Sequence, residues 1–184
     1  KDIFVANGIA KDLTDQDFVD FLGDRNTMQQ MLNGKVFDYK EFTDKISSVP
    51  IPNYAYKNEG VLKFSNQAKS WGLEGPGFSN GSAYGDLDND GDLDYVVNNI
   101  NDEAFVYKNN TVETNADKGH YLRVKFEGKG QNTQGIGTRV EGVYADGTYF
   151  YYENSPYRGY LSSVEAVAHI GLGAKQKIKE LRVI

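Results

Sequence analysis

Cysteine is absent from the 184 residues, and histidine (2), tryptophan (1) and proline (4) are scarce. Without thiols there is no disulfide framework and no thiolate chemistry. That absence fits a secreted bacterial protein as well as a cytosolic one and does not separate them. No apolar run approaches the ~18 residues of a membrane span. Lys and Arg never gather into a stripe, which argues against nucleic acid and an anionic membrane as partners. No initiator Met or signal peptide precedes Lys1-Asp2, and the chain stops inside the strand-like Leu181-Arg182-Val183-Ile184. Both ends lead us to expect an excised fragment. What the chain does hold is Gly (20) and Tyr (13), a composition of twisted sheets and tight turns. Its length suits one or two domains with a real core.

Net charge is −6, from 26 acids against 20 bases. Five of those acids alternate through one stretch, Asp86-Leu87-Asp88-Asn89-Asp90-Gly91-Asp92-Leu93-Asp94, and without them 21 acids face 20 bases. Ionised carboxylates packed this closely repel one another, and a hard, oxygen-seeking cation is the simplest remedy. Calcium takes six to eight oxygens in a flexible shell, whereas magnesium prefers to keep its waters. Asp86, Asp88, Asp90 and Asp94 occupy positions 1, 3, 5 and 9 of such a loop. Asp92 at position 7 would offer its backbone carbonyl, and Gly91 at position 6 allows the sharp turn. Position 12 is Val97 where an EF-hand carries Glu, and Asp94-Tyr95-Val96-Val97-Asn98 reads as a strand. The loop is therefore expected to join two strands. The plain alternative is a solvated Asp/Asn/Gly turn without metal, which has no need of strict alternation.

Two short segments repeat. Asp2-Ile3-Phe4-Val5-Ala6-Asn7-Gly8 aligns with Asp94-Tyr95-Val96-Val97-Asn98-Asn99-Ile100, and Tyr56-Lys57-Asn58 matches Tyr107-Lys108-Asn109. The pieces lie 54 residues apart in the first copy (2 to 56) and 13 in the second (94 to 107). The difference reads as a helical insertion at about 9–49, and repeated short strands imply a propeller or a related array. Within it, Thr14 with Asp17, Thr27 with Gln30 and Asp38 with Glu41 have capping-box spacing. Leu13 with Phe18 would staple the first, and Asn33-Gly34 would stop the second. These predict amphipathic helices at roughly 15–22, 28–33 and 39–46, whose apolar residues suit a packing face better than a ligand groove.

From about Lys118 the pattern changes to antiparallel strands. Tyr121-Leu122-Arg123-Val124-Lys125-Phe126 alternates, placing Leu122, Val124 and Phe126 on one face. Residues 139–144 and 148–153 read as strands joined by the hairpin signal Ala145-Asp146-Gly147, and 164–170 and 177–184 complete the unit. The boundary is placed in the polar, aperiodic stretch at 111–118, giving domains 1–117 and 118–184.

Catalytic chemistry finds little footing. His169 lies in an apolar strand run, where a hydrogen-bonded structural role is the better reading, and His120 opens a strand at the surface. There is no Gly-x-Ser-x-Gly, no phosphate-cradling loop and no His-Glu-x-x-His. Gly135-Ile136-Gly137 and Gly171-Leu172-Gly173 suit turns or bulges better than a nucleotide loop. Arg139 and Arg158 could hold an anion, though surface ion pairing is the better reading. In Tyr149-Phe150-Tyr151-Tyr152 and Tyr157-Arg158-Gly159-Tyr160, half of the alternating tyrosines must face the core; the others could stack on sugar rings.

Residues 79–110, around Ser79-Asn80-Gly81-Ser82-Ala83-Tyr84-Gly85 and the aspartate loop, resemble the FG-GAP/VCBS repeat of integrin-type β-propeller blades. Residues 121–184 resemble the ASPIC/UnbV domain found in Bacteroidetes surface proteins and cartilage acidic protein. The stretches that carry this are Gly135-Ile136-Gly137-Thr138-Arg139-Val140, Arg158-Gly159-Tyr160-Leu161-Ser162-Ser163 and His169-Ile170-Gly171-Leu172-Gly173. The helical insert and Ile51-Pro52-Asn53-Tyr54-Ala55-Tyr56-Lys57-Asn58 are similar to the Bacteroidetes subset. The resemblance implies a mainly β fold: partial propeller blades with a short helical insertion, then a small β-sandwich-like domain truncated at its C-terminus. It also implies calcium at Asp86, Asp88, Asp90, Asp92 and Asp94, and an extracellular, cell-surface or periplasmic location. It implies no reaction, since fold-level likeness carries none. The function expected is a non-enzymatic, calcium-stabilised binding or adhesion module with a carbohydrate or protein ligand. The alternatives are an accessory domain of a polysaccharide-processing enzyme whose catalytic part lies outside this fragment, and a structural cap over an open propeller edge.

Overall fold

The structure, a computed structural model, describes residues 2–33, 39–114, 119–175 and 177–184. It is mainly β, built of several small antiparallel sheets with short helices. The chain divides into two compact units, Lys1–Asn80 with Asn99–Asp102, and Gly81–Asn98 with Glu103–Ile184.

The first unit runs β1 (Ile3–Val5), α1 (Gln16–Gly23), α2 (Arg25–Leu32), α3 (Tyr39–Asp44), β2 (Ile51–Pro52), β3 (Tyr54–Gly60), β4 (Lys63–Asn66) and β5 (Pro76–Gly77). Three helices do form, but their caps are not the threonines. Asp12 takes both the N–H and the hydroxyl of Thr14 (2.9 and 2.6 Å), so Asp15 caps α1 by accepting the Phe18 N–H. Asp24 caps α2 by accepting the N–H groups of Asn26 and Thr27, starting that helix three residues early at Arg25. Phe37, Asp38 and Gly34 of the remaining signals lie outside the described residues, as do residues 115–118 of the expected boundary. The packing face is narrower than expected. Phe18 is buried against Phe42, edge to face at 5.3 Å, while Leu13, Met28 and Leu32 stay exposed.

The sequence repeat is repeated in the geometry. In the first copy Ile3, Phe4 and Val5 pair with Tyr56, Ala55 and Tyr54. In the second, Tyr95, Val96 and Val97 of β7 (Asp94–Asn99) pair with Tyr107, Val106 and Phe105 of β8 (Phe105–Tyr107), the same register. Asp2 accepts the Asn58 N–H at 2.8 Å, and Asp94 accepts the Asn109 N–H at 2.9 Å. Each asparagine then folds its carbonyl oxygen back onto the N–H two residues on, Gly60 in one copy and Thr111 in the other. The aligned Asn7 and Asn99 end a polar chain buried in the first unit. Asn7 N–H donates to Asn53, whose amide donates to the Ser79 hydroxyl, which donates to Asn99 (2.9, 2.9 and 2.8 Å). Asn53 and Ser79 are almost wholly buried, so each must find such partners to avoid an unpaired polar group.

β6 (Ser79–Gly85), β7 and β8 form one sheet, and α4 (Thr111–Thr114) follows in the second unit. Then come β9 (His120–Lys125), β10 (Arg139–Tyr144), β11 (Tyr149–Glu153), β12 (Tyr157–Gly159), β13 (Ser162–Ser163), β14 (Val167–Gly173) and β15 (Ile178–Val183). β9 pairs with β14, and β10 lies between β11 and β15. The alternation in β9 works as the pattern requires. Leu122, Val124 and Phe126 turn inward and join Val140, Ala168 and Ile170 in one core, to which both sheets contribute. The 145–147 hairpin forms, with Asp146 accepting the Thr148 N–H and hydroxyl.

Candidate metal centre

The aspartate loop spans the turn between β6 and β7, the two strands expected to flank it. The carboxylate oxygens of Asp86, Asp88 and Asp90 come within 4.8 Å of one another, and so do those of Asp90, Asp92 and Glu113. Both groups could hold a metal ion. Asp86 is buried to 3% side-chain exposure; Oδ1 has no hydrogen-bond partner and Oδ2 lies 3.8 Å from Arg123. Asp88 meets the Lys108 ammonium at 2.6 Å, and hydrogen bonding to that ammonium holds its carboxyl below the usual range. Asp90 Oδ1 accepts the Asp92 N–H, and Oδ2 makes no hydrogen bond. Asp92 Oδ2 accepts the Val112 N–H at 3.0 Å and Oδ1 has no partner. Burial raises the Asp92 pKa, helped by the charges of Asp90 and Glu113.

Two placements differ from the loop reading. Asp92 brings its carboxylate, not only its backbone carbonyl, to the acidic group. Asp94 spends both oxygens on backbone, taking the Leu87 N–H at 3.0 Å and the Asn109 N–H at 2.9 Å, and joins neither group. It acts as the strut that shapes the loop, as Asp2 does for Asn58. Glu113, on α4, was missed by sequence reasoning. It sits in the aperiodic stretch assigned to the boundary, and its only signal is an acid shortly after the repeated Tyr107-Lys108-Asn109. Lys108 lies among the acids, 2.6 Å from Asp88 and 2.7 Å from Glu113.

The other side of the loop is packed on β9 and β14. Gly91 has φ +97°, and a Cβ built there would lie 2.0 Å from a Tyr121 ring carbon. Tyr121 stacks on His169 with centroids 4.9 Å apart and planes 6° from parallel. His169 Nδ1 is buried with no hydrogen bond. Burial lowers its pKa and the Arg123 charge adds to this, while Asp86, Glu165 and the Gly91 backbone oppose it. The folded state therefore prefers neutral imidazole. As pH falls below about 6.5 the unfolded chain takes up this proton first, so stability is full above that value and declines below it. In chelator-treated protein, His169→Gln should flatten the fall of the urea midpoint between about pH 7 and pH 5; an unchanged slope would assign it to other groups.

Arg158 is held by uncharged partners. Its guanidinium donates to the Tyr84 and Tyr152 hydroxyls and to the Tyr157 carbonyl. On β11, Phe150 and Tyr152 turn inward while Tyr149 and Tyr151 are exposed, the split required by alternation. One buried side chain escaped sequence reasoning altogether. Asn154 is wholly buried and donates its amide to the carbonyls of Gln134 and Gly135 at 2.8 and 2.9 Å.

Residues 128–184 match the model of the family described as ASPIC and UnbV. The match holds over β10 to β15, where the sequence resemblance had been traced from residue 121. Within the ASPIC and UnbV segment, Asn154 fastens the 134–138 turn: its backbone also receives the Gly137 N–H and donates to Thr138. A search of curated proteins finds no match to the chain. No described helix is long and apolar enough to cross a membrane.

Proposed function

We propose that this chain is a calcium-stabilised, non-enzymatic binding or adhesion module of an exported bacterial protein, its ion held by the Asp86–Asp94 loop. The observation that carries the reading is the gathering of Asp86, Asp88 and Asp90 within 4.8 Å around a buried Asp86 oxygen that no hydrogen bond satisfies. An ionised buried oxygen is costly unless it is paired or bound to a metal. Hard carboxylate donors on a flexible loop suit calcium. The common register of the two copies supports reading them as FG-GAP/VCBS-type blade edges. The ion's role is structural: it neutralises the acids and fixes the turn.

Calcium added to chelator-stripped protein should raise the unfolding free energy by about 2.7 kcal/mol at a hundredfold excess over Kd. For a chain of this size that is roughly 5–10 °C in Tm. Magnesium should do much less, and Asp88→Asn should reduce the calcium effect. No calcium-dependent change in Tm would overturn the reading. The exposed Tyr149 and Tyr151 favour a carbohydrate among the ligand classes. The same calcium-loaded protein applied to a glycan array tests that choice, and silence there points to a protein ligand.

A further inference from the structure

The loop reading uses Asp86, Asp88 and Asp90, and leaves the second acidic group unexplained. Asp92 is 8% exposed, its Oδ1 has no hydrogen-bond partner, and its carboxylate lies within 4.8 Å of those of Asp90 and Glu113. Glu113 does not come from the loop; α4 brings it there, while the Val112 N–H on the same helix holds the other Asp92 oxygen. A cation already sits beside this group. The Lys108 ammonium lies 2.7 Å from Glu113, 2.6 Å from Asp88 and 4.0 Å from Asp90.

We propose that Asp90, Asp92 and Glu113 form a second divalent-cation site beside the loop site, with Asp90 shared between them. The proposal rests on the reading that the loop itself binds metal. Its donors are all carboxylate oxygens, so the class of ion is a hard one, calcium before a transition metal. When the second ion enters, Glu113 exchanges its contact with Lys108 for the ion, and Lys108 remains on Asp88. The site ties α4 to the loop, so an acid outside the repeat motif sets how many ions the motif holds.

Isothermal titration of calcium into the chelator-stripped chain, with the bound ions counted by native mass spectrometry, tests this. The wild type should take two calcium ions. Glu113→Gln should take one, and because the Glu113 side chain is 45% exposed the substitution leaves the core intact. Asp88→Asn should lose the loop ion and keep the other. One ion in the wild type, or equal counts in wild type and Glu113→Gln, would overturn the second site and leave the loop reading standing. No calcium in the wild type would remove the loop reading as well.

Discussion

Gly91→Ala should destabilise the protein by about 3 kcal/mol and weaken calcium binding in the same stroke. The backbone term comes first: φ is +97°, a region that costs a residue with a Cβ roughly 1–2 kcal/mol. The second term is contact. The new methyl would lie 2.0 Å from the Tyr121 ring, so the ring must swing away. Tyr121 is 41% exposed and has room to move, but moving breaks its stack on His169. Such a pair contributes roughly 0.5–1.5 kcal/mol. Urea unfolding with and without calcium reads both effects. A loss under about 1 kcal/mol would mean that the ring gives way freely and the loop does not depend on β9 for its shape.

Asn154→Ala should cost about 2–3 kcal/mol, though Asn154 belongs to neither acidic group. Its amide is the donor for the Gln134 and Gly135 carbonyls, and the side chain is wholly buried. Truncation leaves the Gln134 carbonyl without that donor and the Gly135 carbonyl with the Thr138 N–H alone, at roughly 1–3 kcal/mol for the lost bonds together, and opens a small void. A Tm fall of roughly 4–12 °C with the calcium response kept is the expected signature. A fall of only 1–2 °C would show that water replaces the amide and the turn holds by backbone alone.

These two residues also mark what the sequence could and could not reveal. Strands with strict alternation, such as β9 and β11, were legible because burial on one face imposes a period of two on the residue types. The repeat was legible because Asp2, Val5 and Asn7 recur as Asp94, Val97 and Asn99, and the strands they belong to pair in the same register. The helix caps were half legible. Thr14 and Thr27 have the right spacing, but Asp12 and Asp24 are stronger acceptors nearby and take those hydroxyls first. The metal centre divides in the same way. The alternating aspartates announce a cation loop, whereas the diversion of Asp94 to two backbone N–H groups appears only once Asn109 has folded back onto it. Asn154 gives no local signal and Glu113 only its place after the repeat, because the fold supplies the partners that give each its role.

The matched struts close very unequal lengths of chain. Asp94 reaches Asn109 across 15 residues, and Asp2 reaches Asn58 across 56. Closure entropy grows as the logarithm of the span, so the longer excursion carries about 1 kcal/mol more for the same hydrogen bond. Contacts near in sequence also form sooner than distant ones. The helices between β1 and β2 should thus delay one strut: the copy beside the aspartate loop is expected to close before the copy interrupted by helices, an order that pulsed hydrogen exchange at Asn58 and Asn109 would read.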